Sequence, residues 1–138
     1  MWPKAKLFQH KLSGDEDLTI DWVYSEPLEG NQKVFILTTG EHGVEGYVGS
    51  AMMQLFVEKY MPKLDPRTTG ILLLHAINPW GMKHHRRGNK DNIDLKVVLH
   101  GDGLSLLLYP DAKGKTKMKQ ANATDEMQAK ITGLKGQG

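Results

Sequence analysis

The sequence predicts an α/β domain with a mainly parallel or mixed sheet and flanking helices. Three observations carry this. Residues 33–39 are a continuous apolar run with β-branched members (Val34, Phe35, Ile36, Leu37), and residues 71–77 are a second. Between them, residues 46–61 repeat apolar side chains at three- and four-residue spacing (Val48, Ala51, Met52, Leu55, Phe56), the signature of one helical stripe. Strand, helix and strand within about forty-five residues make a βαβ unit, with parallel strands and a right-handed crossover.

At 138 residues the chain has room for one ordinary domain. Lys and Arg number 18 against 16 Asp and Glu, so the net charge of +2 exerts no strong pull on nucleic acid. Cysteine is absent, which excludes disulfides and thiolate metal sites and leaves the compartment open. The opening Met1-Trp2-Pro3-Lys4-Ala5-Lys6 lacks the apolar segment of a signal peptide. No run approaches the length that crosses a membrane. The expectation is a cytoplasmic protein with no membrane partner.

In chain order, residues 1–17 are polar and mixed, with a turn at 13–17. Residues 18–24 alternate, with Leu18, Ile20, Trp22 and Tyr24 on one face, as a half-buried strand near a sheet edge. Pro27 and Gly30-Asn31 break it. The run 33–39 reads as a strand covered on both faces. A glycine-rich turn leads into the helix at 46–61, with Val48, Ala51, Met52, Leu55 and Phe56 as its packing stripe, and Pro62 stops it. Pro66 and Gly70 mark a loop before the strand at 71–77. A turn follows at Asn78-Pro79-Trp80-Gly81. Residues 97–99 and 104–109 read as short strands. From Asp111 onward the chain is rich in Lys, Gly, Thr, Gln and Ala and has little apolar surface to bury.

Two stretches carry chemistry. The first is the turn Thr39-Gly40-Glu41-His42-Gly43-Val44-Glu45-Gly46, where a His and a Glu stand three apart between strand and helix. Imidazole nitrogen and carboxylate oxygen are both common zinc ligands, and sites in open α/β sheets form beyond the carboxyl ends of strands. The same residues also suit a polar turn, with Glu45 near the positive end of the helix dipole and His42 exposed. The second stretch is Lys83-His84-His85-Arg86-Arg87-Gly88-Asn89-Lys90. It fits a solvated loop, a loop gripping carboxylate or phosphate through arginine forks, or a nucleic-acid contact. No aromatic residue interleaves the basic ones, so base stacking has little support. Neighbouring His84 and His85 do not suit one shared metal.

Four ordered segments resemble one family. They are Leu18-Thr19-Ile20-Asp21-Trp22, the turn extended to Ala51, His75-Ala76-Ile77-Asn78-Pro79-Trp80-Gly81, and Arg86-Arg87-Gly88-Asn89-Lys90-Asp91-Asn92-Ile93-Asp94-Leu95. Together they resemble an uncharacterised-domain branch of the zinc metallocarboxypeptidases, over residues 2–95. The resemblance implies the N-terminal part of a carboxypeptidase-like (phosphorylase/hydrolase-like) fold and hydrolysis of peptide or amide bonds. It implies one Zn2+ held by His42 and Glu45. Arg87, in the pattern Arg87-Gly88-Asn89 followed by Ile93-Asp94, matches the arginine that polarises the scissile carbonyl, with Arg87 and Asn89 on the substrate side. By that role Arg87 acts on substrate and leaves metal binding alone.

The chain departs from the family at Lys96-Val97-Val98, where the resemblance implies an Asn-Arg pair for a substrate carboxylate. The family's third zinc histidine and general-base glutamate have no match, and His100 sits in no recognised motif. The expectation is therefore 1–95 as the N-terminal part of a carboxypeptidase-like domain and 96–138 as a divergent, disordered or frame-altered tail. The chain itself is expected to be an inactive fragment with an incomplete metal site. The alternative is a non-catalytic folded remnant or a metal-binding or interaction module. Leu72, Leu74 and Phe35 are expected to be less covered than in a complete domain, inviting self-association through an exposed sheet edge. Partners are then a peptide or amide substrate and no nucleic acid.

Overall fold

The computed structural model describes residues 2–12, 14, 17–30, 33–99 and 106–110. Strands β1 (Lys6–Lys11), β2 (Thr19–Ser25) and β3 (Lys33–Thr38) are followed by helix α1 (Gly46–Leu55), strand β4 (Thr69–His75), helix α2 (Pro79–Lys83) and strands β5 (Leu95–Leu99) and β6 (Leu106–Pro110). The first four strands form one mixed sheet in the order β1-β2-β4-β3. β3 and β4 run parallel, from Lys33↔Thr69 to Thr38↔Leu74, with α1 between them in sequence, so the expected βαβ unit is present. β2 lies antiparallel to both β1 and β4. β5 and β6 pair with each other in a separate antiparallel ribbon, close to the expected short strands. Among the described residues no helix is long and apolar enough to cross a membrane.

The alternation in β2 sorts its side chains as the sequence predicts. Ile20 and Trp22 join Leu72, Leu74 and Ile77 in one buried cluster, with Phe8, Val34 and Ile36 packed around it. Phe8 and Trp22 stack at 5.6 Å between ring centroids. On the opposite face, Ile71 and Leu73 pack with Trp2, Leu37, Met53 and Phe56.

Edge and centre differ from the sequence expectation. β2 lies inside the sheet, and the outer position belongs to β1, which the mixed polarity of residues 1–17 conceals. As an edge strand, β1 keeps Lys6, Leu7, Gln9 and Lys11 in solvent and turns Phe8 and the buried His10 inward. β3, expected to be covered on both faces, is the other outer strand of this sheet and is only half-buried. The fully covered strand is β4. Leu72 and Leu74 are 1 % and 0 % exposed, contrary to the expected loss of cover, while half-buried Phe35 stacks on Phe56 at 4.7 Å.

Helix α1 is rotated from the orientation its apolar stripe predicts. Val48 is 69 % exposed, Met52 60 % and Leu55 41 %, and Tyr47 is also in solvent. The sheet-facing side is small and polar instead. A Cβ added at Gly49 would lie 2.9 Å from Thr39 Cβ, so only glycine allows this approach. Ser50 Oγ lies 3.4 Å from His75 Nε2, and His75 Nδ1 lies 3.0 Å from Thr39 Oγ1, which ties helix to sheet through polar groups. Past Leu55 the helix widens into a π-type turn (Phe56–Tyr60) and closes with a 3₁₀ turn (Met61–Lys63). Pro62 accounts for the change, since its ring cannot accept the regular turn before it and it has no N–H to donate. The proline thus sits inside the last turn rather than just beyond it.

These placements separate two substitutions that look alike in sequence. Leu74→Ala should lower unfolding free energy by about 2–5 kcal/mol in urea titrations. Val48→Lys should change it by no more than about 0.5 kcal/mol, because that side chain meets water.

Candidate functional site

The loops that leave the carboxyl ends of β3 and β4 are joined beyond the strands. Thr39 N–H donates to the Leu74 carbonyl at 2.9 Å, Ile77 N–H to Thr39 at 3.0 Å and Asn78 N–H to Gly40 at 2.7 Å. Gly40 makes this possible with a φ of +67°, and a Cβ there would lie 3.0 Å from Ala76 Cα. Farther on, a Cβ at Gly43 would overlap the Gly81 carbonyl carbon, so the turn rests directly on α2. Gly43 N–H and Val44 N–H donate to the carbonyls of Arg87 and Arg86 at 3.2 and 3.1 Å. The glycine turn and the basic loop are therefore backbone neighbours.

Asn78, 2 % exposed, organises the second loop. Its Oδ1 accepts from Gly81 N–H at 2.9 Å, capping α2, and its Nδ2 donates to the Arg87 carbonyl at 3.1 Å. Asn89 does the same one loop later. Its Oδ1 accepts from Asp91 N–H at 3.0 Å and Ile93 N–H at 2.9 Å, an Asx-type turn that delivers Asp94 and the buried Leu95.

Four charged or ionisable side chains meet where these loops converge. His42 Nδ1 lies 3.2 Å from Glu45 Oε2. His42 Nε2 faces Arg87 Nη2 at 3.0 Å and Asp94 Oδ1 at 3.2 Å. Arg87 Nε donates to Asp94 Oδ2 at 3.0 Å, and its Nη1 lies 3.9 Å from Glu45 Oε1. The cluster is open to solvent on the Glu45 and Arg87 side, at 64 % and 58 % side-chain exposure, while His42 is set deeper at 22 %. Asp94 Oδ1 is sealed from solvent and, among the described residues, has no hydrogen-bond partner, although His42 Nε2 lies 3.2 Å away.

The donor set suits a divalent cation at the His42–Glu45 edge. Two ligands, each about 2.0–2.2 Å from a tetrahedral zinc, stand roughly 3.3–3.6 Å apart. The Nδ1 to Oε2 separation of 3.2 Å falls just short of that spacing. Among the described residues no three His, Asp or Glu side chains group into a metal cage, and Asp94 lies on the far nitrogen of His42.

Of the residues picked from sequence, His42, Glu45 and Arg87 come together across as many as 45 positions. Asn89 spends its side-chain oxygen inside its own loop. His84 and His85 separate, the first against Trp80 at 4.4 Å and the second against Tyr47 at 5.7 Å between ring centroids. Asp94 is the member that sequence reasoning passed over. The signal for it was a carboxylate at the end of a resembling segment, because ligand histidines commonly lean their second nitrogen on one. His100 and residues 111–138 lie outside the described residues.

Among known families, DUF2817, described as a protein of unknown function, matches residues 3–97. No curated protein and no solved structure matches the chain.

Removing the Asn78 carboxamide should loosen the whole site. Asn78→Ala leaves the Gly81 N–H and the Arg87 carbonyl without this partner, each loss costing about 1–3 kcal/mol. Denaturant unfolding should show that drop, and amide exchange should quicken along 81–88.

Proposed function

The chain belongs to the DUF2817 family, and from that premise we propose that its site is the metal-binding and carbonyl-polarising part of a zinc-dependent, carboxypeptidase-like hydrolase acting on peptide or amide bonds. One observation carries the reading. A His-x-x-Glu pair and an arginine 45 positions from the histidine meet in one side-chain cluster, at the sheet end where α/β proteins form sites.

In this reading His42 and Glu45 hold the ion. A zinc held there would polarise the scissile carbonyl and lower the pKa of its bound water. Arg87 supplies a planar, permanently charged donor fork for the oxyanion of a tetrahedral intermediate, and its exposure leaves it within reach of substrate. Asp94 accepts from the Nε of Arg87 and lies 3.2 Å from His42 Nε2, so it orients the guanidinium beside the imidazole. Asn89 shapes the loop that carries Asp94. With two protein ligands, zinc affinity is expected to be well below that of a three-ligand catalytic site.

Zinc calorimetry tests the assignment. His42→Ala and Glu45→Ala should each abolish binding, and His84→Ala should leave it unchanged. Unaltered affinity in His42→Ala would remove the reading.

A further inference from the structure

Among the described residues the four-stranded sheet ends in two unlike edges, β1 and β3. β1 carries Lys6, Gln9 and Lys11 into solvent, the charged trim by which natural sheets refuse a further strand. β3 has a lysine only at its first position. Val34, Phe35, Ile36, Leu37 and Thr38 follow, all half-buried, with no charge, proline or glycine among them. The apolar members serve both layers of the domain. Val34 and Ile36 pack against the cluster of Ile20 and Leu72 on one face. Leu37 packs with Ile71 and Leu73 on the other, where Phe35 stacks on the half-buried Phe56.

The backbone of this edge has a defined direction. Thr39 N–H donates to the Leu74 carbonyl at 2.9 Å, and the Thr39 carbonyl accepts from Ile77 N–H at 3.0 Å. Thr39 thus turns both groups toward β4. Successive residues of a strand aim these groups to opposite sides. Phe35 and Leu37 share the direction of Thr39, and Val34, Ile36 and Thr38 aim theirs away from β4. We propose that this edge docks the β3 strand of a second copy of the chain, antiparallel, with Ile36 on the two-fold axis.

The register follows from the geometry. The axis of an antiparallel pair stands perpendicular to the sheet, so opposed residues share a face. Ile36 then faces Ile36 of the second copy, and Val34 faces its Thr38. Each opposed pair exchanges both of its N–H···O=C bonds, so every outward group of residues 34, 36 and 38 is used. Between them Phe35 meets Leu37 of the second copy, an aromatic–aliphatic cross-strand pair. A slip of one residue would put apolar side chains on the wrong faces, and a slip of two would strand an outward residue without a counterpart. No like charges oppose each other, since the paired span carries none. The seam is short beside the roughly 1,600 Å² of a standard interface, which makes the dimer a weak one, with a Kd of about micromolar order or above. The two sheets become one, and the two candidate sites lie at opposite ends of the seam, because the paired strands run in opposite directions. The pairing is independent of the metal reading, and it gives the exposed edge expected from the sequence a place and an occupant.

Sedimentation velocity of the full chain, from about one micromolar to about one millimolar, tests the association across the expected Kd. The wild type should pass reversibly from monomer to dimer. Thr38→Pro removes an outward N–H and leaves the ladder to β4 in place. It should weaken the dimer at least about tenfold, through the two hydrogen bonds lost. Leu7→Lys on β1 and Val48→Lys on α1, both at exposed positions, should leave the dimer unchanged. Cross-linking reads the register in a chain that has no cysteine of its own. Opposed Cα atoms in a hydrogen-bonded pair stand about 5.5 Å apart, within disulfide reach. Ile36→Cys should therefore form a covalent dimer on mild oxidation. Thr38→Cys should not, because its two Cα atoms would be about 14 Å apart along the seam. A wild type that stays monomeric throughout would overturn the proposal, whether amide exchange then finds β3 bare or covered by another segment of the same chain. So would a dimer that Leu7→Lys or Val48→Lys disrupts, or one that a cooperatively folded Thr38→Pro forms as readily as the wild type. Should Thr38→Pro fail to fold, the cysteine variants decide: cross-linking at 36 alone upholds the pairing, and equal cross-linking at 36 and 38, or none at 36, refutes it.

Discussion

The side chain of Asn78 is the constraint on which the site depends. Its two ends engage backbone groups on opposite sides of one loop, the Gly81 N–H and the Arg87 carbonyl. Buried amides that keep both ends paired hold a loop to one shape, since every alternative leaves a polar group dry. From Asn78 the order spreads outward. Gly81 can then lie against Gly43, the glycine turn can pair with the backbone of Arg86 and Arg87, and His42 arrives opposite the guanidinium. None of these contacts is strong alone. The contacts between the glycine turn and Arg86 and Arg87 are made between backbones, so the loop path there does not depend on the side chains it presents.

The electrostatics of the rim follow from that rigidity. Glu45 and Asp94 bring two negative charges to within reach of a single guanidinium. The cluster keeps an excess of one negative charge when the imidazole is neutral, which favours a cation over an anion at its surface. Exposure at Glu45 and Arg87 screens these interactions, whereas the inner oxygen of Asp94 is not screened by water. The inner half of the cluster therefore has more influence on ring orientation than its distances alone suggest.

How far the sequence foretold this differs by element. The β3–α1–β4 unit was readable because two long apolar runs flank one helical stretch. The meeting of His42, Glu45 and Arg87 was readable because loops after adjacent parallel strands leave from one end of a sheet. The facing of α1 was not, because the periodicity of Val48, Met52 and Leu55 shows only that an apolar stripe exists. Gly46, Gly49 and Ser50 claim the sheet side by permitting close approach, and smallness is silent in a hydrophobic pattern. β1 was hidden because an edge strand keeps half its residues in water. Asp94 and Asn78 escaped because their value lies in which backbone or ring they touch, and no spacing rule encodes that.

The small, polar underside of α1 divides the helix between two kinds of attachment. Apolar burial supplies most of the driving force for docking a helix, and the first turns of α1 bury little of it. Only from Met53 and Phe56 onward do large side chains reach the sheet. The later half of the helix is therefore held by apolar packing, and the earlier half by the close approach of Gly46 to Met82 and Gly40 and of Gly49 to Thr39 and Gly40. The His42–Glu45 turn is attached to that earlier half. It is held there by backbone contact with Gly81 and the carbonyls of Arg86 and Arg87 and not by apolar burial.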